Sequence, residues 1–214
     1  MTAPNPSARK APVKVRARRF VKAVERVDRT LANRFAVNEQ SMAGRLIGRF
    51  AELGDQPPMQ YLSGAVITAG AIRRNRRLLR AGLRMLGAHS IATLAKAFIK
   101  DNVDRTRPGE AIDHDDYRLT AGTSQDHNLQ SMPSGHSAGV VAVVGSAIVE
   151  YPAVTWPAAI GAAALVGSQL PSRNHYLSDV AIGSALGLMA FGLMRSILPP
   201  LVTDGGRVRL NRKN

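Results

Sequence analysis

The segment QSMPSGHSAGVVAVVGSAIV, residues 130–149, joins a short polar motif to a long apolar run. Its Pro-Ser-Gly-His motif, residues 133–136, is typical of a helix start, because Ser134 can accept a hydrogen bond from a free backbone N–H. The same free N–H groups bind an anion where a glycine lets the ligand approach closely. The motif therefore indicates either a capped helix alone or a catalytic loop in which His136 delivers a proton to a leaving oxygen.

Three apolar helices are predicted from this motif onward, over about 135–151, 155–170 and 177–198. Only Glu150 is charged between residues 137 and 170. Small residues are frequent in these helices, as close helix packing in a bilayer favours. No repeat and no strand-like alternation is found, so we expect an all-α, membrane-embedded helical bundle.

The chain is strongly basic, with 29 Lys and Arg against 15 Asp and Glu and a formal net charge of +14. Twelve of these cations fall in residues 9–49, and residues 73–84 hold six arginines. Such charge suits an anionic membrane surface, a phosphorylated substrate or nucleic acid. The acid-rich segment 109–131 and the lack of a recognisable binding module argue against nucleic acid. The absence of cysteine excludes disulfides, thiol nucleophiles and cysteine-ligated metals.

Composition divides the chain into three regions. Residues 1–53 predict a basic tail and an amphipathic helical region, which fits a membrane surface or packs on the domain by one face. The segment GDQPP, residues 54–58, is a break. A membrane domain is expected over 59–200 and a basic C-terminal tail over 201–214. No apolar run of signal-peptide length follows the basic N-terminus.

The orientation in the membrane is predicted from the positive-inside rule. The apolar segment 61–72 is too short to span straight, so we expect it to be interfacial or re-entrant, with both basic blocks in the cytoplasm. A helix over 81–100 then crosses, and its charged residues suit a bundle interior. The polar loop 101–132 would lie on the extracytoplasmic face of a multi-pass cell (inner) membrane protein.

Two cations stand at the start of this loop. Lys100 and Arg107 are seven residues apart, which is two turns if the helix continues, and Pro108 disfavours helix at Arg107. Converging cations suit a phosphoryl group, and an arginine can bind two of its oxygens. A solvated basic cluster at the membrane boundary is the alternative.

His175 and Asp179 stand at the start of the last apolar helix. Because they are four residues apart, both lie on one helix face. The carboxylate can accept the imidazole N–H and leave the other ring nitrogen free as a nucleophile. A purely structural pair is the alternative, although a buried ionisable pair beside a membrane helix needs a reason.

Taken in order, Lys-x6-Arg-Pro, Pro-Ser-Gly-His and His-x3-Asp resemble the signature of the type 2 phosphatidic acid phosphatase superfamily, over about 85–198. The resemblance implies a metal-independent, cofactor-free phosphatase that forms a phosphohistidine. It implies His175 as the nucleophile, Asp179 as its orienting partner and His136 as the general acid. The phosphoryl-binding groups it implies are Lys100, Arg107, Ser134 and the Gly135 backbone N–H.

The third motif departs from the family pattern. Where the family has Ser-Arg before its histidine, this chain has Ser168-Gln169, so one phosphate-binding arginine is missing. Arg173 lies four residues later, which in a helix is one turn or about 5.4 Å. We expect Arg173 to replace the lost cation.

The resemblance predicts an integral-membrane phosphatase acting on a lipid such as phosphatidic acid, phosphatidylglycerol phosphate or a polyprenyl (pyro)phosphate. Because of Gln169, a catalytically weakened member that acts as a membrane binding or scaffold protein is a second hypothesis. A soluble acid phosphatase or vanadium haloperoxidase, whose sites share these motifs, is a third. His114 with Asp113, Asp115 and Asp116 suggests a metal site, but crowded acids in a solvated loop are more often simply soluble, and the implied chemistry needs no metal.

Overall fold

A computed structural model describes residues 13–204 and 207–209 of the chain. Predictions that fall on residues 1–12, 205–206 and 210–214 lie outside the described residues. Within the described ranges the chain forms eight α-helices: α1 (Val13–Phe35), α2 (Met42–Glu52), α3 (Gln56–Ile72), α4 (Arg76–Lys100), α5 (Pro108–His114), α6 (Gly135–Glu150), α7 (Thr155–Gly167) and α8 (Leu177–Ile197). Four short strands, β1 (Val103–Arg105), β2 (Leu119–Ala121), β3 (Val202–Asp204) and β4 (Arg207–Arg209), form two antiparallel pairs.

The three C-terminal apolar helices are confirmed, with small differences at their C-terminal ends. Helix α6 begins at Gly135 because the Ser134 side chain accepts a hydrogen bond from the Ser137 N–H. Among the described residues, α8 is the one helix long and apolar enough to cross a membrane, and shorter apolar helices cover Gly135–Glu150 and Pro152–Gly167. The fold is an all-α bundle, as predicted.

Helix α3 replaces the expected interfacial or re-entrant segment. It begins before residue 61, because Pro57 and Pro58 occupy its first turn, where a missing N–H does no harm. It then runs as a continuous 17-residue helix to Ile72. A Cβ on Gly70 would lie 2.4 Å from the Leu79 N, so α3 and α4 form a tightly packed antiparallel hairpin.

The amphipathic helical region predicted within residues 1–53 forms two helices, α1 and α2. They are separated at residues 36–41, and Ser41 caps α2 by accepting from the Gly44 N–H. Large apolar side chains on both helices remain exposed, as contact with a lipid surface would require. They are Phe20, Val21, Val27, Phe35, Met42, Leu46 and Phe50.

The two basic blocks lie at opposite ends of the bundle. Asp28 of α1 accepts a hydrogen bond from the Ser178 N–H, which places α1 at the N-terminal end of α8. The α3–α4 turn, with Arg73 and Arg74, lies at the far end because α3 carries the chain along the bundle. The prediction that both blocks share one side is therefore wrong. Since cations flank both ends, the positive-inside rule no longer favours the extracytoplasmic face for the motifs.

Small residues bring α4, α6 and α8 into close contact. A Cβ on Gly183 of α8 would lie 2.3 Å from the Ser134 carbonyl oxygen, so only glycine permits this approach. The core between the three helices is built largely from alanines: Ala88, Ala92, Ala138, Ala142 and Ala190. This packing brings the N-terminal ends of α6 and α8 beside the C-terminal end of α4.

Candidate active site

The three sequence motifs meet at one end of the bundle. The Lys100 ammonium at the end of α4 donates to the Gln130 carbonyl at 2.9 Å, just before the Pro-Ser-Gly-His motif. The Ser134 N–H donates to the Asp179 carbonyl at 3.1 Å, which joins the second motif to the third. The rings of His136 and His175 lie with centroids 6.0 Å apart. Residues far apart in sequence thus surround one small volume.

The orientation of His175 is set by a backbone carbonyl. Its Nδ1 lies 2.7 Å from the Ser131 oxygen, and a carbonyl can only accept, so Nδ1 carries the proton. The Nε2 lone pair is then available as a nucleophile. His175 is 2 % exposed. Burial, followed by the nearby Arg107 and Lys100 cations, holds the pKa of His175 well below its ordinary value, which keeps the ring neutral.

The predicted direct hydrogen bond between Asp179 and His175 is wrong. The Asp179 carboxylate accepts from the Ser131 hydroxyl at 2.7 Å, the Tyr176 N–H at 2.9 Å and the Arg105 guanidinium at 2.6 Å. The Tyr176 N–H reaches the carboxylate because Asp179 lies in the first turn of α8, whereas Ser131 and Arg105 come from other parts of the chain. Asp179 is therefore connected to His175 only through Ser131, whose hydroxyl donates to the carboxylate and whose carbonyl accepts from the imidazole.

Arg105 is a central residue that the sequence prediction missed. Its guanidinium is buried and bridges the Asp179 and Asp28 carboxylates, at 2.6 Å and 2.8 Å. It also lies 4.3 Å from the Tyr176 ring centroid, within cation–π range. The sequence contains one signal for this residue. Arg105 stands two residues before Arg107, and side chains at this spacing in an extended segment lie on the same side.

His136 has a carboxylate partner from another part of the chain. Its Nε2 lies 3.9 Å from the Asp55 Oδ1, at the start of α3. Burial and the Arg107, Lys96 and Lys100 cations act against a positive charge on this imidazole, and the Asp55 carboxylate offsets part of that effect. A general acid needs the protonated form. Nothing in the sequence around Asp55 indicates this role.

The predicted phosphate-binding groups differ in the contacts that they already make within the chain. Arg107 does not continue α4 as a helix, and its Nε donates to the His127 carbonyl at 2.9 Å. The Ser134 hydroxyl is fully buried and serves as the α6 cap. The N–H groups of Gly135 and His136 lie in the first helical turn, which is where an anion binds.

Arg173 does not take the place of the missing arginine. It has a left-handed backbone, with φ of 60°, and its guanidinium donates to Asp113 at 2.5 Å and to the Gly109 carbonyl at 2.9 Å. Its positive charge is therefore paired with residues of α5, so the expectation that Arg173 replaces the lost cation is wrong. Gln169 is fully buried, and its amide nitrogen donates to the Leu165 carbonyl at 3.3 Å.

The acidic residues suggested as metal ligands point to separate partners. Asp113 pairs with Arg173, and Asp115 lies 3.7 Å from an Arg29 nitrogen. Within the described residues there is no group of three or more histidine or acidic side chains that could hold a metal ion.

A known protein family matches the part of the chain that contains the three motifs. The family model of the PAP2 superfamily matches residues 81–201, which is more than half of the chain. The chain belongs to the PAP2 superfamily. The family match begins after Asp28 and Asp55, so the partners of Arg105 and His136 come from outside the matched range.

A solved structure shares the PAP2 fold. It is the crystal structure described as the first transmembrane PAP2 type phosphatidylglycerolphosphate phosphatase from Bacillus subtilis, with a TM-score of 0.59 and 19 % identity. The similarity covers 86 % of this chain and 90 % of that one. A search of curated proteins found no match.

Proposed function

We propose that this protein is a multi-pass membrane phosphatase that releases phosphate from a lipid phosphate through a phosphohistidine, without a metal. The observation that carries the proposal is the position of His175. Its Nδ1 is bound to the Ser131 carbonyl, which leaves Nε2 free, and the His136 ring and the Lys100 and Arg107 cations lie near the imidazole.

In the first step the His175 Nε2 attacks the phosphorus, and the bond from phosphorus to the leaving alkoxide breaks. His136 donates a proton to that alkoxide, and the Asp55 carboxylate attracts the protonated imidazole against the opposing effects of burial and the nearby cations. Cations and the α6 N–H groups bind the equatorial oxygens, since phosphoryl transfer depends mainly on positioning and on stabilising this charge.

In the second step water attacks the phosphohistidine. His136 accepts the proton from the water, the bond from phosphorus to Nε2 breaks, and inorganic phosphate leaves. The free Nε2 lone pair is restored while Nδ1 keeps its proton and its hydrogen bond. Both steps use groups of the chain and water alone.

A lipid substrate is supported by the exposed apolar surface of the helical bundle. On α4, Leu94 and Phe98 are 72 % and 73 % exposed, close to the end that carries Lys100. Further large apolar side chains are exposed on α7 and α8: Trp156, Ile160, Leu188, Met189 and Leu193. Such surfaces suit lipid rather than water, so an amphiphilic phosphate can reach the site from the bilayer.

The test is phosphate release by detergent-purified protein from a panel of phosphatidic acid, phosphatidylglycerol phosphate and polyprenyl phosphates, with EDTA present. His175→Ala should lower kcat by at least about 10³-fold. His114→Ala is the matched control, because His114 is an exposed histidine outside the site. Rapid quenching with labelled substrate should trap acid-labile, alkali-stable phosphate on the wild-type chain.

An active His175→Ala variant would contradict the nucleophile. Loss of activity in EDTA would contradict the metal-free mechanism. Binding of lipid phosphates without any phosphate release would favour the weakened member suggested by Gln169.

A further inference from the structure

We propose that Lys96 is a phosphate-binding residue that supplies the positive charge missing at Gln169. The proposal deepens the proposed function, because it assigns a further group to the same site. Lys96 belongs to none of the three motifs. It lies on α4 one helical turn before Lys100, so both lysines share one helix face.

The Lys96 ammonium lies against the first turn of α6. A Cβ on Gly135 would be 2.9 Å from the Lys96 Nζ and 2.8 Å from its Cδ. Any other residue at position 135 would therefore push the ammonium away. Glycine at this position lets both the ammonium and the anion approach the free N–H groups of the helix start.

Lys96 also remains available to bind a ligand. Its side chain is partly buried, and among the residues that the structure describes it forms no hydrogen bond and no ion pair. The Asp55 carboxylate attracts it only from a longer distance. Lys100, in contrast, donates to the Gln130 carbonyl, and Arg173 is paired with Asp113. A partly buried ammonium without a partner gains most from an anion brought beside it.

The replacement follows from what the site must bind. A phosphomonoester is a dianion, and its charge increases on the equatorial oxygens during transfer. Gln169 is neutral and its amide donates to the Leu165 carbonyl. With Lys96, Lys100 and Arg107 the site again has three cations beside the α6 N-terminus, although the new one arrives from α4.

The experiment compares Lys96→Met, which removes the ammonium but keeps an apolar side chain, with Lys96→Arg, which keeps the charge. Lys22→Gln serves as the control because Lys22 is exposed on α1. Two quantities are measured on folded, detergent-purified protein: the affinity for inorganic vanadate, and kcat/KM for the best lipid phosphate. Thermal unfolding verifies that each variant is folded.

We expect Lys96→Met to weaken vanadate binding and to lower kcat/KM by about 10- to 100-fold each, the range for a lost charge-assisted hydrogen bond. Lys96→Arg should retain most of both, and Lys22→Gln all of both. Vanadate affinity unchanged in folded Lys96→Met, or absent in the wild type, would overturn the proposal. If the wild type binds vanadate through Lys96 but releases no phosphate from any lipid, the proposed function fails and the assignment of Lys96 stands.

Discussion

Asp28 connects the N-terminal helix to the active site, and its removal gives a sharp test of the structure. The Asp28 carboxylate accepts from the Arg105 guanidinium at 2.8 Å, from the Ser178 N–H at 3.0 Å and from the Ser178 hydroxyl. Both Asp28 and Arg105 are 2 % exposed. Water therefore cannot replace the lost contacts without opening the interface between α1 and α8.

We predict that Asp28→Ala lowers the free energy of unfolding by about 3–5 kcal/mol, the cost of removing one partner of a buried ion pair. Asp28→Asn keeps one acceptor oxygen and should lose about 1–3 kcal/mol. In a chain of this size the alanine variant should melt roughly 10 °C lower. Because Arg105 also holds Asp179, kcat should fall more than KM changes.

The assay is thermal unfolding in detergent by circular dichroism, with phosphate release measured below the transition. Glu25→Ala is the matched control, because it removes an acid one turn earlier on the same helix. If Asp28→Ala melts together with Glu25→Ala and retains its kcat, the buried contact does not stabilise the site.

Three further predictions concern pH, the buried ion pair and orientation. Since burial and neighbouring cations hold the pKa of His175 below 6.5 and protonation removes its nucleophile, the acid limb of kcat/KM should lie well below pH 6.5; a limb at or above that pH contradicts this. Arg84 and Glu150 form a fully buried ion pair at 3.0 Å. In thermal unfolding the single variant Arg84→Met should therefore lower the free energy of unfolding by about 3–5 kcal/mol, and the double variant Arg84→Met/Glu150→Met should lower it by less. Losses that simply add would contradict the pairing. Because the chain has no cysteine, Asn75→Cys and Ser124→Cys can be labelled singly in intact cells with an impermeant maleimide; exactly one should react, and labelling of both would contradict ends on opposite membrane faces.

The parts of the fold that could be predicted depend on local signals. Helices α6 and α8 were found because a long apolar run and a capping or polar start are visible within one short window. The first turn of α3 is not predicted, since GDQPP at residues 54–58 has the composition of a break. Prolines at a helix start leave the backbone bonds intact, and the sequence pattern alone did not distinguish the two cases.

The candidate site was likewise predictable only where local sequence motifs indicate it. The motifs predicted that His136, His175 and the two cations of the first motif belong together, because their spacing matches a known signature. The sequence did not show which donor Asp179 would accept. In the fold Arg105, Ser131 and the Tyr176 N–H reach its carboxylate, so His175 turns to a backbone carbonyl.

By itself, the sequence determined the helical class, the apolar helices after residue 134, the three motifs and the absence of the expected arginine at Gln169. Only the tertiary structure decided that Asp28 and Asp55 approach the site, that Arg173 is bound by α5, and that the Lys96 ammonium lies beside Gly135. The physical reason is that helix formation depends on neighbouring residues, whereas the partner of a buried charge depends on which helices pack together. Close packing of small residues brings these distant charges to one end of the bundle.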